Sequence, residues 1–208
     1  LNSKTDLNKI TIDNIDWVFV LTPNKTHFKL VKFFLKKKLN VFCEKPLSLN
    51  SFQSKYLINL SSKNKCKLYV SDIEMFKQKK IKKRKYFQVV RKKFSKSKKD
   101  DILFRLAYHD FYVLYNYLKP IKNLEISKYK KNNFSNFKLK NKLVDINFNY
   151  DLKSKKNVHT INDCNFRKFQ GNPLRSMLSK TLAEKVNFKK NQKVAIFCND
   201  LIKNILKK

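Results

Sequence analysis

Three short, almost wholly apolar runs, DWVFVL at 16–21, NVFC at 40–43 and CKLYV at 66–70, alternate with two stretches of helical period. A short continuous apolar run suits a strand buried on both faces, as in a parallel sheet. In the first intervening stretch Phe28, Val31, Phe34 and Leu35 form an apolar stripe with lysines opposite. In the second the stripe is Phe52, Tyr56, Leu57 and Leu60, with Ser48 or Asn50 as the N-cap. Thr22-Pro23-Asn24 and Glu44-Lys45-Pro46 punctuate the ends of the first two strands. Strand–helix–strand–helix–strand with short connections predicts right-handed crossovers and a parallel sheet. This unit ends near Phe76.

The remainder reads differently. Residues 77–85 (KQKKIKKRK) predict a solvated basic linker, 86–90 a strand and 95–99 a polar loop. Residues 102–118 carry Leu103, Leu106, Tyr108, Val113, Leu114 and Tyr117 at helical spacing, and Pro120 stops them. From 125 to 161 the chain alternates and breaks often, as in VDINFNYDL, which predicts several antiparallel strands. Pro173 opens a helix running towards Lys185, and a last helix covers about 193–207. The expected organisation is α/β, with a parallel-sheet unit over 1–76 and a smaller α+β unit with a mainly antiparallel sheet over 77–208.

Glycine use excludes one device. The 208 residues contain a single glycine, Gly171, whereas a glycine-rich phosphate loop needs several. Hydrophobic residues make up 42%, enough for a core, and no apolar run approaches a membrane span. The N-terminal residues are polar, without a signal-peptide core, and lack a methionine; the sequence reads as a piece of a longer chain. The net charge of +34 is nearly all lysine, spread along the chain beside many Asn, Ile, Phe and Tyr. That is the signature of A/T-rich codons, so specific nucleic-acid binding is not expected, only salt-sensitive adhesion to polyanions. Cys43, Cys66, Cys164 and Cys198 form no Cys-x-x-Cys pair. No metal site is expected, and buried free thiols in a reducing cytoplasm are.

Three places carry chemistry. The strand ending in Thr-Pro-Asn leads to His27, at the strand carboxyl ends where parallel sheets bind ligands. Lys45, between Glu44 and Pro46, sits on a stiff backbone at the tip of the second strand. A lysine there can exchange a proton with a substrate hydroxyl. His109 and Asp110 lie near the start of an aromatic helix, and a neutral imidazole suits proton transfer. Taken singly, a packed helix-start histidine, a solvated lysine and a hydrogen-bonded buried histidine would serve as well.

Together and in this order, the strand with Thr-Pro-Asn and His27, Glu44-Lys45-Pro46, the His-Asp helix and the ending NPLRSMLSKTLAEKV resemble the Gfo/Idh/MocA oxidoreductases, named for glucose–fructose oxidoreductase and inositol dehydrogenase. The resemblance implies a partial Rossmann-like NAD(P)-binding domain over 1–76, lacking its first βαβ unit, and a substrate domain over 77–208. It implies NAD or NADP as cofactor, with hydride transfer to or from a sugar, inositol or sugar derivative. Lys45 and His109 would be catalytic; Thr22, Pro23, Asn24, His27, Glu44 and Lys45 would line the cofactor crevice. A cytoplasmic enzyme, with a small sugar or polyol as partner and a homo-oligomer through the C-terminal sheet, follows from the same likeness. Two departures stand out. Many members carry an aspartate four residues before the substrate-site histidine, where this chain has Arg105, and the stretch from 76 to 102 is short. A catalytically inactive relative acting as a binding or scaffold protein is the alternative. A parallel sheet without its first strands would leave an unpaired edge, so poor solubility of the isolated chain is expected.

Overall fold

The computed structural model describes residues 11–94, 101–129 and 134–208. The polar start and the loop expected over 95–99 lie outside the described residues.

The first sheet has the order β1-β2-β3, all parallel: β1 (Trp17–Val20), β2 (Asn40–Cys43) and β3 (Leu68–Val70). The connecting helices are α1 (Asn24–Lys36) and α2 (Ser51–Lys63). Alternation within each strand sorts two faces. Val20, Val41, Cys43, Leu68 and Val70 join Val31, Leu35 and Leu57 in the main core. Phe42 and Tyr69 point the other way, with Trp17 packed beside them, against Met177 and Phe188. Asn50 caps α2 by accepting from the Gln53 N–H at 2.8 Å, which decides between the two cap candidates.

The second sheet has the order β5-β6-β7-β4-β8-β9: β4 (Tyr86–Lys92), β5 (Glu125–Ile126), β6 (Phe134–Lys140), β7 (Asp145–Asp151), β8 (Val158–Ile161) and β9 (Cys164–Asn165). Only the β4–β7 ladder is parallel. Phe137, Phe148 and Tyr150 turn one face of this sheet towards α3 (Tyr108–Leu118), with Phe137 and Phe148 stacked at 4.8 Å. The segment expected to be one helix from 102 opens instead with a π-helical turn, Leu103–Ala107, before α3 begins.

Two helices close the chain, α4 (Pro173–Leu182) and α5 (Phe188–Ile205). α5 starts five residues before the expected 193, because Asn187 accepts from the Lys190 N–H at 2.8 Å and stabilises a first turn too lysine-rich to show a stripe. Its apolar face packs on α2, β3 and α3. One continuous core therefore runs from the first sheet to the second. The basic run is not wholly solvated: Lys77 is buried and lies 2.7 Å from Glu74. Cys43, Cys66 and Cys198 are buried free thiols, while Cys164 is half-buried.

Candidate functional site

Two turns at the carboxyl ends of β1 and β2 and the π-helical turn before α3 enclose a cleft of about 320 Å³. β1 gives way to Thr22 and Pro23, and Asn24 opens α1. β2 gives way to Glu44 and Lys45, with the Glu44 N–H donating to the Val20 carbonyl at 2.9 Å. Asn24, Glu44, Lys45, Arg105 and His109 all line the cleft, and β4 adds Arg91 just behind them. Residues distant in the chain, from Asn24 to His109, thus meet where parallel-sheet crevices form ligand sites.

Lys45 is fixed from across the cleft. Its ammonium donates to the carbonyls of Phe104 at 2.9 Å and Arg105 at 3.3 Å. Both carbonyls belong to the π-helical turn Leu103–Ala107, and each has a second lone pair to offer the lysine. Burial, then the positive charges of Lys45 and Arg91, lower the affinity of His109 for a proton well below that of an ordinary imidazole. The ring that faces the cleft is therefore neutral at neutral pH.

His27 is placed differently from expectation. It is fully buried, and its two ring nitrogens lie 2.7 Å from the carbonyl oxygens of Pro46 and Thr22. It ties the two turns together and reaches the crevice only through the backbone it holds. Thr22 and Pro23 are exposed and do not line the cleft; the Thr22 hydroxyl pairs with that of Thr26 at 2.6 Å.

Behind His109 lies a buried charge network that no local sequence pattern signals. The Asp110 carboxylate accepts from His159 Nε2 at 2.6 Å and the Tyr150 hydroxyl at 2.9 Å, with Arg91 at 3.5 Å. Burial alone would push this carboxyl up; His159, Arg91 and the hydrogen bonds from His159 and Tyr150 outweigh it and hold the group below the usual carboxylate range. Glu74 extends the network, 3.1 Å from Arg91 and 2.7 Å from Lys77. Strands β4, β7 and β8 thereby grip the first turn of α3, the turn that carries His109.

The residues present fit one half of a dinucleotide. Asn24, Glu44 and Lys45 offer an amide, a carboxylate and an ammonium at one crevice, a donor set suited to ribose hydroxyls and a carboxamide. For the pyrophosphate the described residues offer no glycine-rich turn, the single glycine preceding α4. Among the described residues no group of three or more His, Cys, Asp or Glu could hold a metal ion, and no helix is long and apolar enough to cross a membrane.

Comparison with known proteins agrees with this architecture. Residues 2–72 match the GFO_IDH_MocA family, described as an oxidoreductase family with an NAD-binding Rossmann fold. The uncharacterized oxidoreductase YgjR of Escherichia coli is 39% identical over 57 residues, 27% of this chain, and the chain spans only 17% of that relative's length. Among solved structures, UDP-N-acetylglucosamine 3-dehydrogenase from Acidithiobacillus ferrooxidans superposes with a TM-score of 0.75 at 13% identity, covering 91% of this chain and 77% of its own. The WlbA dehydrogenase of Thermus thermophilus, in complex with NAD and UDP-GlcNAcA, gives 0.69 at 16% identity over 90% and 71%. A variant 3-ketoreductase of Actinomadura kijaniata, in complex with TDP-benzene and NADP, gives 0.67 at 13% over 94% and 78%. The family match thus covers the first sheet and its helices, and the likeness to these solved structures through the second sheet is one of fold.

Proposed function

We propose that the protein transfers a hydride between NAD or NADP and the CH–OH carbon, or its carbonyl, of a sugar, an inositol or a sugar derivative. The observation that carries this reading is the meeting of Lys45 and a neutral His109 in one cleft, from turns more than sixty residues apart. In oxidation His109 accepts the hydroxyl proton while Lys45 hydrogen-bonds the same oxygen and favours its developing negative charge. The nicotinamide, when bound, supplies the acceptor for the hydride. In the reverse direction His109 returns the proton to the oxygen. One hydride and one proton thus leave or join the substrate per turnover. Asn24 and Glu44 hold the ribose side of the crevice, and the His27 tether keeps the two turns in register. Residues 1–76 serve the cofactor and 77–208 the substrate, with the outer face of the second sheet as the surface for a second copy. Four unpaired thiols fit a reducing cytoplasm.

The test is turnover: reduction of NAD and NADP with inositol, hexoses and uronic acids, using substrate deuterated at the reacting carbon. Transfer of deuterium to the nicotinamide is expected with at least one of them. No turnover with any combination contradicts the reading and favours a binding or scaffold role, to which Arg105 also points.

A further inference from the structure

Of the three histidines, His27, His109 and His159, the proposed proton transfer uses only the second. His27 is fully buried on the first turn of α1. Its Nδ1 lies 2.7 Å from the Pro46 carbonyl oxygen and its Nε2 lies 2.7 Å from that of Thr22. A carbonyl oxygen only accepts, so each of these contacts needs an N–H. A neutral imidazole has a single N–H, and its other nitrogen would set one lone pair against another. The imidazolium donates from both nitrogens and satisfies both carbonyls. Both distances fall at the short end for N–H···O bonds, where charge-assisted bonds lie. Among the described residues the histidine ion pairs belong to His159, so the carbonyls themselves take up the His27 charge. The titratable groups on the elements around His27 are Cys43 at the end of β2, Glu44 and Lys45 in the turn beyond, Lys55 and Tyr56 on α2, and lysines on α1 itself. Carboxylates ordinarily titrate below histidine, lysines and tyrosines above it, and burial pushes the Cys43 thiol further up.

We propose that His27 is a positioning residue that works as a doubly protonated clasp: with a hydrogen on each ring nitrogen it holds the turn after β1 to the turn after β2, and loss of one hydrogen to water lets them part. Thr22 stands two residues before Asn24, and Pro46 directly follows Lys45. The ring therefore fixes the backbone under cleft residues from both turns. Nε2 is the nitrogen that gives up its hydrogen, because Thr22 is exposed and water reaches that side. The electron pair of the broken N–H bond stays on Nε2 and opposes the lone pairs of the Thr22 carbonyl, while Nδ1 still donates to Pro46. The Glu44 N–H, which donates to the Val20 carbonyl at 2.9 Å, is the neighbouring link between the same two segments and reports the loss. What the clasp serves rests on the reading of the cleft given above; the clasp itself does not.

The experiment is NMR of the full chain, isotope-labelled at the histidine ring nitrogens and titrated from about pH 5 to 8, the range in which a histidine ordinarily changes charge. Hydrogen exchange is read at the Glu44 amide in the same samples. His27 is identified by the contacts of its ring with Pro46. Two ring N–H signals from His27 are expected at the acid end, and the Nε2 hydrogen is lost as pH rises. Protection of the Glu44 amide, corrected for its intrinsic exchange rate, is expected to fall on the order of tenfold with the same midpoint, the worth of one charge-assisted hydrogen bond. In His27→Gln, whose side chain neither gains nor loses a proton, that protection should not change with pH. A single ring N–H on His27 across the whole range overturns the inference. So does a ring that titrates without changing Glu44, or a pH-dependent Glu44 in the glutamine variant. Should His27→Gln not fold, the titration of the parent chain decides alone. If the clasp titrates as expected and no sugar is turned over, the clasp stands and the reading of the cleft fails.

Discussion

His109 and Asp110 are neighbours in the chain with opposite tasks: one faces the cleft, the other anchors its helix to the second sheet. Asp110 holds one strand partner through Tyr150, another through His159 and a third through Arg91. Asp110→Asn leaves Arg91 and His159 beside a group with no charge, and removal of one partner from a buried ion pair costs about 3–5 kcal/mol. A fall of that size in urea unfolding is expected, and a stability unchanged to within 1 kcal/mol would show that the network does not hold α3. Asp72 titrates with the opposite sign. Burial raises its carboxyl from an ordinary 3.8 to about 6, against the hydrogen bond from Tyr69. Folding therefore favours its protonated form, and the stability it contributes is full below about pH 3.8 and lost as pH rises through about 6. Asp72→Asn should match the parent in unfolding free energy at low pH and exceed it at pH 7, by about 3 kcal/mol; a constant difference across that range would contradict the shift. At this scale Lys45 and His109 could be singled out as candidates because each sits in a short local pattern, and the structure sets both on one cleft. The Asp110–His159 pair was not, because its partners are 49 residues apart and no local signal joins them.

Among the elements, the helix ends show how a chain with one glycine stops a helix. α1, α2 and α4 each end in a Schellman turn. The Leu39 N–H reaches the Phe34 carbonyl, Cys66 that of Ser61, and Lys185 that of Lys180. The residue that must take positive φ is Lys38, Lys65 and Glu184 in turn, at 60°, 56° and 56°. A side chain there is strained, so Lys38→Gly and Lys65→Gly should each stabilise the fold by about 1 kcal/mol, read from the urea midpoint at unchanged slope; a loss of stability would contradict this. Asn191 on α5 does for β3 what a further strand would do. Its amide accepts from the Val70 N–H at 2.9 Å and donates to the Val70 carbonyl at 2.8 Å. Asn191→Leu strands both buried groups and should cost about 2–5 kcal/mol, measured as loss of hydrogen-exchange protection in β3 together with a lower thermal midpoint. The apolar stripes made the helices readable. The start of α5 escaped because its lysines carry no period, and the π-helical turn escaped because one residue of extra winding leaves no mark on a stripe.

For the whole molecule, the sequence pattern of the first sheet carried the parallel topology, and the order of the second sheet was beyond it. Alternation says which side of a strand is buried but not that β4 lies between β7 and β8. Nor could periodicity foresee that the Lys45 ammonium would be held by carbonyls 59 and 60 residues away, the contact that joins the turn after β2 to the helix bearing His109. That joint is what makes one site out of two halves of the chain, and the central claim is that proton transfer happens there. The most direct measurement is the rate of nicotinamide reduction by the His109→Asn protein, at saturating substrate and in parallel with binding of the same substrate. A loss in kcat on the order of a hundredfold to ten-thousandfold, with substrate affinity retained, is predicted for removal of a general base. An unchanged kcat would contradict the claim and leave His109 as a packed histidine at the head of its helix.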